Sequence, residues 1–104
     1  MDMKQMMKQA QKMQRQLAEA QEEIAGMTFE ATAGGGMVKA TVAGDMSLQA
    51  LEISPAAVDP EDVEMLQDMV VAAVNEALRG IGELSEARLS SVTGGMNIPG
   101  MPGF

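Results

Sequence analysis

The sequence predicts an α+β fold: a long N-terminal helix, a three-stranded antiparallel sheet and a long C-terminal helix, in the order α-β-β-β-α. Three observations predict it. Over residues 1–25, apolar residues recur in steps of three and four, which is helical spacing. Between Met27 and Ser54, apolar and polar residues alternate and are interrupted by glycines, as in short strands joined by turns. Helical spacing then returns beyond Pro55 and continues to about Val92.

The first helix has an apolar side whose residues recur with the heptad spacing of packed helices. We call these residues the apolar seam: Met3, Met6, Ala10, Met13, Leu17, Ala20 and Ile24. Asp2 suits the N-terminus of a helix and Gly26 suits its end. We therefore expect one helix between these two residues, packed through its seam.

Basic residues lie on the opposite side of the same helix. Lys4, Lys8, Lys12 and Arg15, which we call the basic ridge, fall nearly opposite the seam at about 100° per residue. They are four of the seven basic residues in a chain that has fifteen acidic residues and a formal net charge of −8. The charge is therefore unevenly distributed, and one end of the chain suits an anionic partner.

The middle of the chain predicts three short strands in an antiparallel meander. Alternation runs over 27–33, 37–43 and 47–54, and the breaks are Gly34-Gly35-Gly36 and Gly44-Asp45. Val38, Ala40 and Val42 would share one face, and Phe29 would point to the core. This apolar face needs a helix to cover it.

The second helix is predicted to begin at Asp59-Pro60, with an acidic N-cap and proline in the first helical position. Gly80 and Gly82 would allow a kink or a softer distal segment. We expect a single domain over 1–92 and a flexible Gly/Pro/Met tail over 93–104.

Size and composition favour a cytoplasmic protein that associates with itself. The chain has 104 residues, twelve Met and no Cys, and it contains neither a signal-peptide pattern nor an apolar run long enough for a membrane. A three-stranded sheet is too small to cover two long helices, so a homodimer that covers their overhanging parts is expected.

The residue types argue against an enzyme. With no His and no Cys, the chain lacks the commonest general base and the soft metal ligands. The cluster of carboxylates at 61–68 is typical of a solvated helix face, and a hard-cation site is the less favoured interpretation. The three glycines at 34–36 indicate a turn, because no Lys-Ser/Thr pair follows them as in a phosphate-binding loop. We predict no catalytic residues, no metal and no cofactor.

From the residues alone, the basic ridge is either an ordinary solvated helix face or a surface that contacts a polyanion. The second interpretation is favoured because the ridge is interleaved with Gln5, Gln9, Gln11 and Gln14 and not with acids. Duplex DNA is the favoured polyanion, since single strands are bound through aromatic platforms and the chain has only two Phe and no Trp or Tyr.

Six segments carry a resemblance to a known family. They are MK and MKQAQKMQ at 3–4 and 7–14, GGGMVKATVAG at 34–44, EISP at 52–55, DPEDVEMLQDMVVAAVNEAL at 59–78 and TGGMNIPGMPGF at 93–104. Together they resemble the YbaB/EbfC family of bacterial nucleoid-associated proteins, in the family's order and over nearly the whole chain.

The resemblance implies a tweezer-like homodimer that binds duplex DNA with weak sequence preference. It also implies a role in organising or protecting the nucleoid, or in gene regulation. Carried onto this chain, one DNA-contacting arm is the basic ridge and the second is the end of the long helix, with Arg79 and Arg88. Family members often carry more basic residues on that second arm, where this chain has Glu83 and Glu86. Lys39 matches the family's sheet motif, for which a structural role is expected.

One alternative function from another class stays open. The Met-rich helices and the tail could dock a partner protein, such as part of the DNA-repair machinery, and the chain would then be an acidic adaptor. The sign of the charge on the exposed arm tips separates the two predictions, because basic tips favour DNA and acidic tips favour the adaptor.

Overall fold

Two long helices and three strands make up the computed structural model, which describes residues 2–93. The elements are α1 (Met3–Ala25), β1 (Thr28–Ala33), β2 (Val38–Ala43), β3 (Leu48–Ile53), a short 3-10 helix (Pro55–Ala57) and α2 (Val63–Thr93). The predicted α-β-β-β-α order is confirmed. Beyond Thr93, the predicted tail lies outside the described residues.

The first helix has the predicted bounds. The carboxylate of Asp2 accepts a hydrogen bond from the backbone N–H of Lys4 at 3.2 Å, which caps the N-terminus. At the other end, the N–H of Gly26 donates to the carbonyl oxygen of Glu23 at 3.1 Å. The φ of Gly26 is −87°, so this residue closes the helix in a right-handed conformation. Among the described residues, no helix is long and apolar enough to span a bilayer.

The strands form one antiparallel sheet in the order β1-β2-β3. The three glycines between β1 and β2 have φ values of +63°, +68° and +94°, a region that side chains with a Cβ disfavour, so the predicted turn requires them. In the β2–β3 register, Val38 lies opposite Ile53 and Ala40 lies opposite Leu51. Residues that lie opposite each other point to the same side of a sheet, which places these four on one face.

The core lies between that face and α2. Val38, Ala40 and Val42 are fully buried, as the alternation predicted. From the helix, the fully buried residues are Ala73, Ala77 and Ile81. The helix packs on β1 and β2, whereas every residue of β3 is exposed. A helix about 10 Å wide covers two strands that are about 4.8 Å apart but not a third.

The second helix begins three residues later than predicted, at Val63. Asp62, and not Asp59, caps it: the Asp62 side chain accepts from the N–H of Met65 at 3.2 Å. Asp59 instead holds a separate turn, in which its carboxylate accepts from the N–H of Glu61 at 2.9 Å. Asp followed by Pro is a signal for a turn as well as for a helix start, and here the turn prevails.

The helix α2 continues without a break through Gly80 and Gly82. Gly80 is buried, and a Cβ at this position would lie 2.2 Å from Cε1 of Phe29. The ring of Phe29 therefore packs directly on the helix backbone, where only glycine leaves room for it. This contact explains a glycine that the sequence alone associated with a kink.

Candidate nucleic-acid interface

The two helices lie antiparallel where they meet, and α1 extends further from the sheet. Arg88 of α2 forms an ion pair with Glu23 of α1, and Val92 lies across from residues between Met6 and Gln16. At about 1.5 Å per residue, α1 runs about 30 Å from Glu23 to Met3, whereas α2 runs only about 8 Å from Arg88 to its last described residue. The first three turns of α1 therefore form an arm that projects beyond the described part of α2.

The apolar seam is buried at one end only. Ala20 and Ile24 are buried and Leu17 is half-buried. Towards the tip, Met6 is 54% exposed and Met3 is 76% exposed. The predicted packing is thus present beside α2, while the described residues leave the methionines near the tip of the arm largely exposed.

All four residues of the basic ridge are exposed. Within residues 2–93, none of them has a carboxylate oxygen within 4 Å of its charged nitrogens. Arg15 has Glu19 one turn further along the helix, yet these two side chains form no ion pair either. Steps of four, four and three residues place the ridge in one strip about 17 Å long on the arm.

Arg79, in contrast, is held by acids of its own helix. Its Nη1 lies 2.6 Å from Oε1 of Glu83, and its Nε donates to Oε2 of Glu76 at 3.1 Å. The hydrogen bond between Arg79 and Glu76 lowers the pKa of the Glu76 carboxyl and raises the pKa of Arg79. A phosphate at this position would have to compete with two carboxylates.

Arg88 is also occupied. Besides the ion pair of its Nε with Glu23, its Nη1 donates to Oγ of Ser91 at 2.8 Å. This arginine therefore fastens α1 to α2 at the base of the arm. The structure keeps both predicted second-arm residues apart from the basic ridge.

The remaining basic residue, Lys39, lies on the outer face of the sheet. Its Nζ is 2.8 Å from Oε2 of Glu52, and the hydrogen bond to Glu52, together with the charge of nearby Glu30, raises the pKa of Lys39. In the described part of the chain, the basic residues outside the ridge are thus each paired with an acid, and those of the ridge are not. No three carboxylates of residues 2–93 are grouped so as to hold a metal ion.

Sequence reasoning missed an apolar surface at the edge of the sheet. Leu48, Leu51 and Ile53 of β3 are 48%, 38% and 37% exposed on the face that α2 covers elsewhere. We call these three residues the β3 face. This surface could have been predicted, because a single helix is too narrow to cover three strands.

Comparison with known proteins places the chain among close relatives. The model of the YbaB/EbfC DNA-binding family matches residues 1–96. A nucleoid-associated protein of Thermoanaerobacter sp. (strain X514) is 52% identical over 96 residues, which are 92% of this chain and 86% of that protein. A nucleoid-associated protein of Nocardia farcinica is 50% identical over 103 residues, which are 99% of this chain and 94% of that protein.

A solved structure shares the fold. The crystal structure of an uncharacterised protein from Helicobacter pylori matches with a TM-score of 0.70 at 24% identity, over 84% of this chain and 91% of that one. At this identity the likeness concerns the fold alone.

Proposed function

The chain belongs to the YbaB/EbfC DNA-binding family, and from this premise we propose that its basic ridge binds the phosphates of duplex DNA. Its function is that of a nucleoid-associated DNA-binding protein. The family is one of DNA-binding proteins and not of enzymes, and we propose that this member acts by binding alone, in the cytoplasm, where the nucleoid lies.

DNA binding by the basic ridge is supported most directly by the lack of acidic partners for its charges within the described residues. An exposed lysine or arginine that already has a carboxylate partner must give that partner up before it can bind a phosphate. The ridge has no such partner within the described residues, and it lies on an arm that a DNA backbone can reach. Lysine and arginine contacts to phosphate supply most nonspecific affinity for DNA.

The rest of the chain limits that affinity. Residues 19–104 carry three basic and fourteen acidic side chains, so the field beyond the arm repels phosphate. DNA is therefore confined to the arm, and binding is modest and steeply dependent on salt. Contacts to phosphates carry no sequence information, which agrees with a weak sequence preference.

Duplex DNA is favoured over single strands because the described residues offer no exposed aromatic ring. Phe29 is packed against the backbone of α2 at Gly80, and Phe104 lies outside the described residues. Stacking on aromatic side chains is the main source of affinity for unpaired bases. A single-stranded oligonucleotide should accordingly bind more weakly than a duplex of equal length.

The proposal includes a homodimer formed through the β3 face. An edge strand with an uncovered apolar face is a surface that another copy can pair with and bury. A twofold arrangement places the same face of each copy against the other, so that each β3 gains the cover that α2 does not provide. The two arms then project from one central sheet, and eight ridge charges act on one duplex.

The first test is a salt series with a random-sequence duplex, followed by fluorescence anisotropy. If about four to eight phosphates are neutralised, the logarithm of the binding constant should fall against the logarithm of the salt concentration with a slope between about −4 and −7. No binding at low salt, or a slope near zero, would contradict the proposal and favour a protein adaptor.

The dimer is tested by adding one charge to the β3 face. Leu51→Glu should yield a monomer in sedimentation velocity at micromolar concentration, because the twofold interface would bury two unpaired carboxylates, one from each copy, at a cost of several kcal/mol. Ala50→Glu adds the same charge on the opposite face of the strand, where Ala50 lies beside Thr41, and should stay dimeric. A wild-type chain that sediments as a monomer at this concentration would refute the dimer.

Arg79 and Arg88 remain predicted DNA contacts of secondary weight. Each would have to exchange an intramolecular carboxylate for a phosphate, so the net gain is smaller than at the ridge. The acidic second arm also keeps the alternative prediction open, in which the Met-rich helices and the tail dock a partner such as a DNA-repair protein.

A further inference from the structure

The apolar side of the arm forms a groove. Four apolar side chains line it, those of Met6, Ala10, Met13 and Val92, together with the polar side chains of Gln9, Lys12, Gln14 and Gln16. The groove has a volume of about 630 Å³, and we call it the arm groove. It lies where α2 approaches α1 for the last time within the described residues, and none of those residues fills it.

The described part of the chain ends beside this groove. Val92 lines the groove, and α2 ends one residue later, at Thr93. The eleven residues that follow, 94–104, have the sequence GGMNIPGMPGF. They contain no charged side chain and four large apolar ones: Met96, Ile98, Met101 and Phe104.

Residues 94–104 are long enough to reach along the whole arm. Eleven extended residues span at most about 36 Å, whereas α1 runs only about 15 Å from Met13 to Met3. Two prolines, at 99 and 102, restrict the backbone of the segment and reduce the entropy that is lost on docking. The segment is therefore long enough and apolar enough to follow the uncovered seam.

We propose that residues 94–104 bind back into the arm groove of the same chain and cover the exposed methionines of α1. Methionine side chains adapt to irregular apolar partners, which suits a groove and a segment that are both rich in Met. Because the segment has no acidic side chain, none of its side chains neutralises the basic ridge or repels DNA. Docking would thus cover the apolar side of the arm and leave Lys4, Lys8 and Arg15, which do not line the groove, to phosphate.

Because residues 94–104 are covalently attached beside the groove, they are favoured over a second copy of the chain as its occupant. A segment that begins at the edge of the groove is held there at an effective concentration in the millimolar range, whereas a separate chain must bind at its own concentration. The β3 face, through which a second copy is proposed to bind, lies on the sheet and not on the arm.

The test uses the absence of cysteine in the chain. The measurement is NMR of the methionine methyl groups in isotope-labelled, full-length protein. A nitroxide attached at Ile98→Cys should broaden the methyl signals of Met6 and Met13 until they are lost. The signals of Met37 and Met65 should keep their intensity, since α2 runs about 40 Å from Met65 to Val92. Reduction of the nitroxide should restore the lost signals. Unchanged Met6 and Met13 signals would overturn the proposal.

A mixture of two samples distinguishes the same chain from another copy. When spin-labelled chains without isotope are mixed with isotope-labelled chains without the nitroxide, Met6 and Met13 should lose no intensity. If the Met6 and Met13 signals lose as much intensity in this mixture as in the chain that carries both the nitroxide and the isotope, the segment binds a second copy, which contradicts the proposal.

Two charge variants locate the docking site. Ala10→Glu places a carboxylate in the groove and should abolish the broadening of Met6 and Met13. Gln11→Glu adds the same charge at the next residue, outside the groove lining, and should retain it. No DNA is present in these experiments, so their failure would leave the proposed function of the ridge unaffected.

Discussion

Replacement of all four ridge residues by Ala is expected to remove most of the affinity for duplex DNA. The variant loses eight positive charges per dimer, so the log–log salt slope should move from at most about −7 towards zero. At a salt concentration where the wild type is saturated, the variant should show no measurable binding. Anisotropy with the same random duplex measures both quantities. Ala is the best helix former, so helical circular dichroism should be preserved.

Two controls separate local contact from net charge. Replacement of Lys39, Arg79 and Arg88 by Ala removes nearly as much positive charge from the chain but leaves the ridge intact, and it should retain most of the slope. A second variant, with Lys4, Lys8 and Lys12→Arg and Arg15→Lys, keeps the charge and should also keep the slope. If the first control binds as weakly as the ridge variant, the second arm contributes equally and the ridge is not the main contact.

Gly44→Ala is expected to be the most destabilising single substitution among those considered. Gly44 follows β2, where its N–H donates to the carbonyl oxygen of Met27 at 3.0 Å. A Cβ at this position would lie 1.8 Å from the carbonyl oxygen of Ile24. The clash is with backbone, so relief requires the end of α1 to move away from the sheet. Such overpacking should cost about 3 kcal/mol or more.

Thermal unfolding at fixed protein concentration measures this loss. In a domain of this size, each kcal/mol lowers Tm by about 4–8 °C. Gly82→Ala is the matched control, because its nearest neighbour would be Cε of Met46 at an ordinary 4.0 Å, and Ala should stabilise the helix interior by about 1 kcal/mol. The two variants should shift Tm in opposite directions. A Gly44→Ala protein as stable as the wild type would show that α1 is not fixed to the sheet at this point.

The sequence predicts the elements of this fold well wherever a local pattern decides them. Alternation places Val38, Ala40 and Val42 on one face, and these three are fully buried. The start of α2 was misplaced because Asp59-Pro60 is a signal both for a helix and for a turn. The ion pairs of Arg79 follow from i,i+3 and i,i+4 spacing and could have been predicted, since they are local.

Contacts between distant elements were not predictable in the same way. The pairing of Arg88 with Glu23 joins residues that are 65 positions apart, and the approach of Gly44 to Ile24 depends on how α1 crosses the sheet. The exposure of β3 could not be read from its alternation, because a strand has the same pattern whether a helix or a second copy covers it. For the site, the spacing of the ridge was sufficient to propose it, but only the structure shows that its charges lack acidic partners in the described chain.

Lysine acetylation with and without a random duplex tests the central claim most directly. The chain contains four lysines: three belong to the ridge and the fourth, Lys39, lies on the outer face of the sheet and serves as an internal control. At low salt and saturating DNA, mass spectrometry should show acetylation at Lys4, Lys8 and Lys12 slowed several-fold, while the rate at Lys39 stays unchanged. Equal rates at the three ridge lysines with and without bound DNA, or protection of Lys39 alone, would contradict the account.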